Sequence, residues 1–522
     1  MKKTPKFNLI PILSLCMLAF VAVSCTDLSL EESDSIITDE ASGIFNGVAD
    51  VDGSLTQLYN DVYGQLGDQA NFFALQEVTT DETLVPTRGT DWGDNGIWRQ
   101  LHAHTWSPTH DYILNVWNNL NQNVFRATQI IDDRSNPNAQ QKAEAQFLRA
   151  FSMFFVVDMW GVAPFREVDE GADVDPRVLT SAEAYTFMLD DLTSAVQALP
   201  VRGPSDDNNR VNRAAANYLI AKLRLNAGRY KGSGGFDNAD MQAVIDAVDA
   251  VTADGYALQA GFFDIFKPDV DTETIWYLNT APGNRMWNGL HYNQVAPDNT
   301  GGGWNGFSTL AEFYDSFEGN PNSNYVGDAI DERRGWVPDA TNANDDNLGI
   351  GYGFLLGQQY SASGAPLNNR GGAPLVFSKE LPGLSGNPEE SGIRIIKYHP
   401  SPNDGGSFRN HEIMFRYSDA HLMKAEAMLR MGGDATALVN ELRALRNAST
   451  LGNVSEADLL AERGRELYYE FWRRNDLIRF GQYTRDWEFK NPESVGAEFR
   501  NLFPIPINAL LSNPNLVQNE GY

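Results

Sequence analysis

Five of the eleven tryptophans stand in stretches rich in glycine, asparagine and aspartate: Trp92, Trp98, Trp287, Trp304 and Trp336. An indole there offers a flat apolar face beside polar side chains that pair with hydroxyls in fixed geometry. That combination suits reversible capture of a ligand with C–H faces and many hydroxyls, as a sugar has. Trp92 lies in Arg88-Gly89-Thr90-Asp91-Trp92-Gly93-Asp94-Asn95-Gly96 and is the first choice for a stacking platform, with Arg88, Asp91 and Asn95 as hydroxyl partners. Trp98 opens the more regular stretch that follows. Trp287 and Asn288, with Tyr292 beyond, form a second group. Trp304 lies in Gly301-Gly302-Gly303-Trp304-Asn305-Gly306 and leads directly into a helix entry, which also suits a structural ring. Tyr360 and Arg370, beside Asn368 and Asn369, form a fourth group. The other tryptophans read differently. Trp117, Trp160 and Trp472 fall on or at the ends of apolar helices and Trp276 in an apolar run, so all four are expected in the core. Trp106 is expected to be packed, and Trp487 has no distinguishing context.

Other chemistry finds less support. His102, His104 and His110 with Asp111 lack a fourth ligand at any zinc spacing and read as hydrogen-bonded structural histidines. Asp269, Asp271 and Glu273 alternate like the start of a calcium loop, but lack its glycine and terminal bidentate glutamate. No metal, cofactor or catalytic residue is therefore expected. A glycoside hydrolase needs two carboxylates at a defined separation, one held protonated. With 69 acids a pair can always be found, and nothing tunes a particular one. No serine elbow, P-loop or metal-hydrolase motif is present.

The net charge of −29 argues against non-specific nucleic-acid binding and disfavours sulfated or uronic polymers. Lys2, Lys3 and Lys6 precede an apolar run from Leu9 to Val23, too short for a membrane span, and read as a secretory leader. It ends at Ala22-Val23-Ser24-Cys25, which resembles a bacterial lipobox with Ala22 in place of the usual leucine. Cys25 is then the lipidated first residue, and residues 25–40 form an acidic tether. Removing the leader, which holds three lysines and no acid, takes the chain to −32. Cys16 leaves with it. An acylated cysteine holds the protein on a membrane rather than in it.

The elements that must position the loops read mostly as helix. Ile113, Trp117, Leu120 and Val124 make one apolar stripe. A second helix is expected from Asn136-Pro137, with Ala143, Phe147, Ala150 and Phe154 inward. Thr180-x-x-Glu183 and Ser455-x-x-Asp458 are capping boxes, and Asn212 caps a further helix. Short joints between alanine-rich helices suggest a degenerate tetratricopeptide-like scaffold of helical pairs with little sheet. Between about residues 257 and 410 periodic helices give way to glycine, asparagine and aromatics, a loop-rich binding region.

Five segments together resemble the SusD/RagB family of outer-membrane, nutrient-binding lipoproteins. They are Ser24-Cys25, Asp91-Trp92 through Trp106, Ala145 to Phe151, Glu462-Arg463-Gly464-Arg465-Glu466-Leu467 with Asp476-Leu477, and the terminal run from Phe503-Pro504-Ile505-Pro506 to Gly521-Tyr522. Gly464 in mid-helix and the bulky Phe471-Trp472 depart from the family pattern. The resemblance implies one domain over residues 41–522, with about eight helices and ligand loops on one face. It implies no enzyme activity, an oligosaccharide ligand, and docking on a TonB-dependent barrel of the SusC type. A loop from this part of the chain supplies stacking rings in such proteins, and Trp287 is preferred over Trp304 because Trp304 leads into a helix entry. The acidic charge favours a neutral glycan, held at micromolar affinity or weaker. The alternatives are a peptide receptor on the same scaffold and, further off, a glycoside hydrolase.

Overall fold

The computed structural model describes residues 45–522 except 172, 298 and 405–407. The leader, Cys25 and the tether lie outside the described residues.

Eight helices follow in chain order, the first six packing as three pairs and the last two on a shared neighbour. Asp111–Ile131 packs on Ala139–Trp160, and Ser181–Val196 on Arg213–Leu225. Asn238–Ala253 pairs with Tyr417–Arg430, on which Thr436–Leu445 and Glu456–Leu467 both pack. A further helix, Val51–Gly67, lies on Asp111–Ile131. The mostly helical, tetratricopeptide-like architecture expected from the stripes is what forms. Local chemistry sets the helix starts. Thr180 and Glu183 cap each other's backbone, as do Ser455 and Asp458, and Asn212 accepts from the Ala215 N–H. One start differs from expectation: Asn138, not Asn136, is the cap, because Gln141 stands three residues on and completes a capping box.

The third pair is split by the whole loop-rich region, whose two ends meet as antiparallel strands, Thr274–Leu278 and Glu412–Arg416. Trp276 on the first strand is fully buried against Phe147, Phe151 and Phe415 at 5.1–5.5 Å between ring centres. Trp106, Trp117, Trp160 and Trp472 are likewise in the core, and so is Trp487.

Below this neck lies a buried ionic cluster built on the Glu456–Leu467 helix. Arg416 reaches Glu466 at 2.6 Å and Glu470 at 2.6 Å, Arg446 reaches Glu273 and Glu466 at 2.9 Å, and Arg333 reaches Glu462 at 2.7 Å. The helix thus fastens both ends of the insertion and its interior. Gly464 explains itself here: a Cβ would come within 2.7 Å of Arg473 Nη1, and Arg473 is held by Asp81 at 2.7 and 2.8 Å. Among the described residues no helix is long and apolar enough to cross a membrane.

Candidate functional site

The loops carrying the expected site residues do converge, but they sort into three kinds. The first is structural. Arg88 is 1% exposed and donates to the carbonyls of Asn305 and Gly306 at 2.7 Å, to Ser391 O at 2.7 Å and to Ser308 Oγ at 2.6 Å. Burial pushes its guanidinium down to about 9. Every donor direction is used to staple three chain segments, so the role expected for it as a hydroxyl partner is corrected. Trp98 is also corrected. It is 2% exposed, its Nε1 donates to Asp94 Oδ2 at 2.9 Å, and rings of Trp92, Tyr112 and Phe307 surround it. The Asn288 side chain is buried, and its carbonyl accepts from the Phe307 N–H at 3.2 Å.

The second kind is half-buried. Trp92 has φ +58, a conformation that bulky side chains rarely adopt. It is held there from both sides. Its carbonyl accepts from Thr87 Oγ1 at 3.1 Å, and its indole donates to the Trp304 carbonyl at 2.7 Å. The ring lies on the bare backbone of Gly306, where a Cβ would come within 2.4 Å of it. Trp92 is thus a loop staple with part of its ring showing. Trp287, on the short helix Gly283–Gly289, is half-buried with its edge on Phe408 at 5.7 Å.

The third kind is exposed. Trp304 is 65% exposed, the one exposed tryptophan among the described residues. Its backbone is nonetheless fixed: its N–H donates to the Trp287 carbonyl at 2.9 Å and its carbonyl receives Trp92. The glycines before it allow this. A Cβ on Gly302 would come within 1.9 Å of Tyr292 O, and one on Gly303 within 2.0 Å of Leu290 O. Only glycine lets the returning strand lie so close to residues 290–292. The sequence puts Trp92 first and Trp287 before Trp304; the structure covers part of Trp92 and Trp287 and leaves Trp304 exposed.

Beside these rings Asp91, Tyr292, Arg370 and Glu389 form a polar cluster from four separate loops. Tyr292 donates to Asp91, and Arg370 donates to Asp91 at 3.0 Å and lies 3.8 Å above the Tyr292 ring. Arg370 also binds Glu389, whose carboxylate accepts from the Arg370 backbone N–H at 3.0 Å and contacts His291 Nε2 at 3.1 Å. Burial pushes His291 down to about 4 despite Glu389, so the ring is neutral at pH 7. Burial and then the Asp91 bond push the Tyr292 hydroxyl upward. Asn95, with φ +51, is exposed at the edge of the 88–96 loop. Tyr360 is half-buried in a groove of about 760 Å³ beside this cluster. Sequence reasoning missed Glu389, Asn305 and Arg394. Asn305 accepts from Arg394 at 2.8 Å and donates to Glu389 O at 2.9 Å, which ties the ring loop to the polar cluster. Its place between Trp304 and a glycine was the available signal.

Histidines and acids set aside on spacing have other work. His102 and His104 lie 2.8 Å from the carbonyls of Glu488 and Thr79. Asp271 accepts from the backbone of Glu273 and Thr274 at 2.6 Å, and Glu273 joins the ionic cluster.

Residues 272–522 match the model of the SusD family, and residues 30–225 match one described as starch-binding and associating with the outer membrane. The starch-binding protein SusD of Bacteroides thetaiotaomicron is 27% identical over 525 residues, covering 91% of this chain and 89% of that protein. Surface glycan-binding protein A from Bacteroides uniformis shares the fold, with TM-score 0.66 at 18% identity over 92% of this chain and 99% of that one. A laminarin-binding SusD-like protein gives TM-score 0.66 at 20% identity over 92% and 100%. With the paired-helix scaffold, the split third pair and the two adjoining sequence matches, the chain belongs to the SusD family.

Proposed function

We propose that this protein is a surface lipoprotein of the outer membrane, anchored through Cys25 after removal of residues 1–24. It captures a neutral oligosaccharide without cutting it and delivers it to a TonB-dependent barrel of the SusC type. The observation that carries the binding half is Trp304, a bare indole on a backbone that cannot give way, beside a polar cluster that holds the loops in place. A backbone fixed before the ligand arrives lowers the ordering cost of binding. Relatives named for starch and laminarin, both neutral glucans, support the ligand class. The acidic chain supports neutral over anionic polymers.

Calorimetric titration of the purified protein with starch and laminarin fragments, sulfated glucan and unstructured peptides tests this. Heat with a neutral glucan, with none from the sulfated polymer and no shortened product, is expected. Binding of peptides alone would move the function to a peptide receptor, and appearance of shorter chains would make it a hydrolase.

A further inference from the structure

The polar cluster has little left to offer a ligand. Asp91, Tyr292, Arg370 and Glu389 already bond one another. A sugar stacked on Trp304 must find hydroxyl partners elsewhere, since an unpaired polar group taken from water is costly.

The groove beside the cluster holds such partners. It measures about 760 Å³, within the ~300–1,000 Å³ range of small-molecule sites. Its walls come from the tip of the loop carrying Tyr292, from residues 345–350 and from residues 360–367. Leu348, Ile350 and Leu367 supply apolar floor. Among the described residues, the Tyr360 and Thr300 hydroxyls and the Asp345 and Asp346 carboxylates have no hydrogen-bond partner. Apolar wall with unspent hydroxyl and carboxylate groups is a lining that reads a sugar's two chemistries at once. No lysine, arginine or histidine lines the groove among the described residues, so its formal charges are all negative.

The groove lies close along the chain to the exposed ring. Thr300 and Trp304 lie on one returning segment, at most ~14 Å apart even if fully extended. Asn293 at the groove donates to the Asn368 carbonyl at 2.7 Å, which ties its wall to the loop carrying Arg370.

We propose that this groove is a second saccharide subsite, which reads the hydroxyls of neighbouring units of the same neutral glycan that stacks on Trp304. The inference rests on the glycan reading above and adds that affinity depends on chain length. One unit covers the indole, and further units must enter the groove.

Titration with malto- and laminari-oligosaccharides of two to eight units tests it, using wild type, Trp304→Ala, Tyr360→Ala and Tyr360→Phe. Thermal melting serves as the folding control, and Tyr360→Phe removes only the hydroxyl. Wild-type affinity is expected to rise with length and then level off. Trp304→Ala loses binding at every length. Tyr360→Ala weakens the longest chains about tenfold, the scale of one ring contact, and leaves the shortest unchanged. Tyr360→Phe gives a smaller loss of the same pattern. Groove variants that keep the wild-type length dependence, or that weaken all lengths equally, would overturn the subsite and leave the Trp304 reading intact. A wild type that binds no member of either ladder would overturn both.

Discussion

The buried cluster under the neck and the loop face above it are made of the same residue types. In the cluster, Arg333, Arg416 and Arg446 are fully buried, and each meets two or more carboxylates. On the face, Arg370 is half exposed and its two carboxylate partners lie at the edge of solvent. In the core, Trp276 is enclosed by three rings, whereas on the face Trp304 meets none among the described residues. Residue type therefore does not assign the role. A buried charge must be answered by several partners or the fold fails, while a surface pair contributes little to stability. The insertion can carry long irregular loops because its ends and interior are fastened to one helix. The apolar area left uncovered at Trp304 is then free for a ligand.

The contrast can be broken most severely at its rigid end. Arg416→Ala removes the cation that Glu273, Glu466 and Glu470 share and is expected to cost about 3–5 kcal/mol, read as a lower urea midpoint. Retention of wild-type stability would mean that the cluster does not hold the neck. A pH series sharpens the same end. Glu77 is buried and pushed up to about 7 by burial, against the Phe471 N–H bond and the nearby Lys397 and Arg285. Burial, and then Glu77 itself, raise Glu82 as well. The folded value of Glu77 lies above its unfolded value of 4.5, so its contribution is full below pH 4.5 and is lost as pH rises through about 7. Glu77→Gln is expected to flatten the fall in urea midpoint between pH 5 and 8. An unchanged slope would show that the pair does not titrate there. The smallest effect is expected on the open face. Arg370→Ala removes half-exposed pairs and should change stability by at most about 1 kcal/mol. A larger loss would place the polar cluster with the structural cores rather than with the ligand face.

The helical scaffold was legible because capping and periodicity are local. Thr180 with Glu183, Asn212, and Ser455 with Asp458 each announce a helix within four residues. The shift from Asn136 to Asn138 was also local, since only Asn138 has Gln141 three residues on. The split third pair was not legible, because nothing within Asn238–Ala253 says that its partner waits beyond the insertion at Tyr417–Arg430. Glycine and asparagine stand around Trp92, Trp287 and Trp304, but nothing in the sequence says that these segments meet, as their hydrogen bonds show. Whether a ring is covered depends on a distant acceptor. Trp92 spends its N–H on the Trp304 carbonyl and its face on Gly306, contacts more than 200 positions away. Arg88 and Arg370 each stand next to glycine, and only packing makes one a staple and the other a surface group.

The most direct test pairs two readings on one variant, thermal melting and calorimetric titration with a neutral glucan, for Trp304→Ala. An unchanged melting temperature and a loss of affinity of at least tenfold are expected, because the ring is bare of core contacts. Full glucan affinity in a variant that melts like wild type would contradict that expectation.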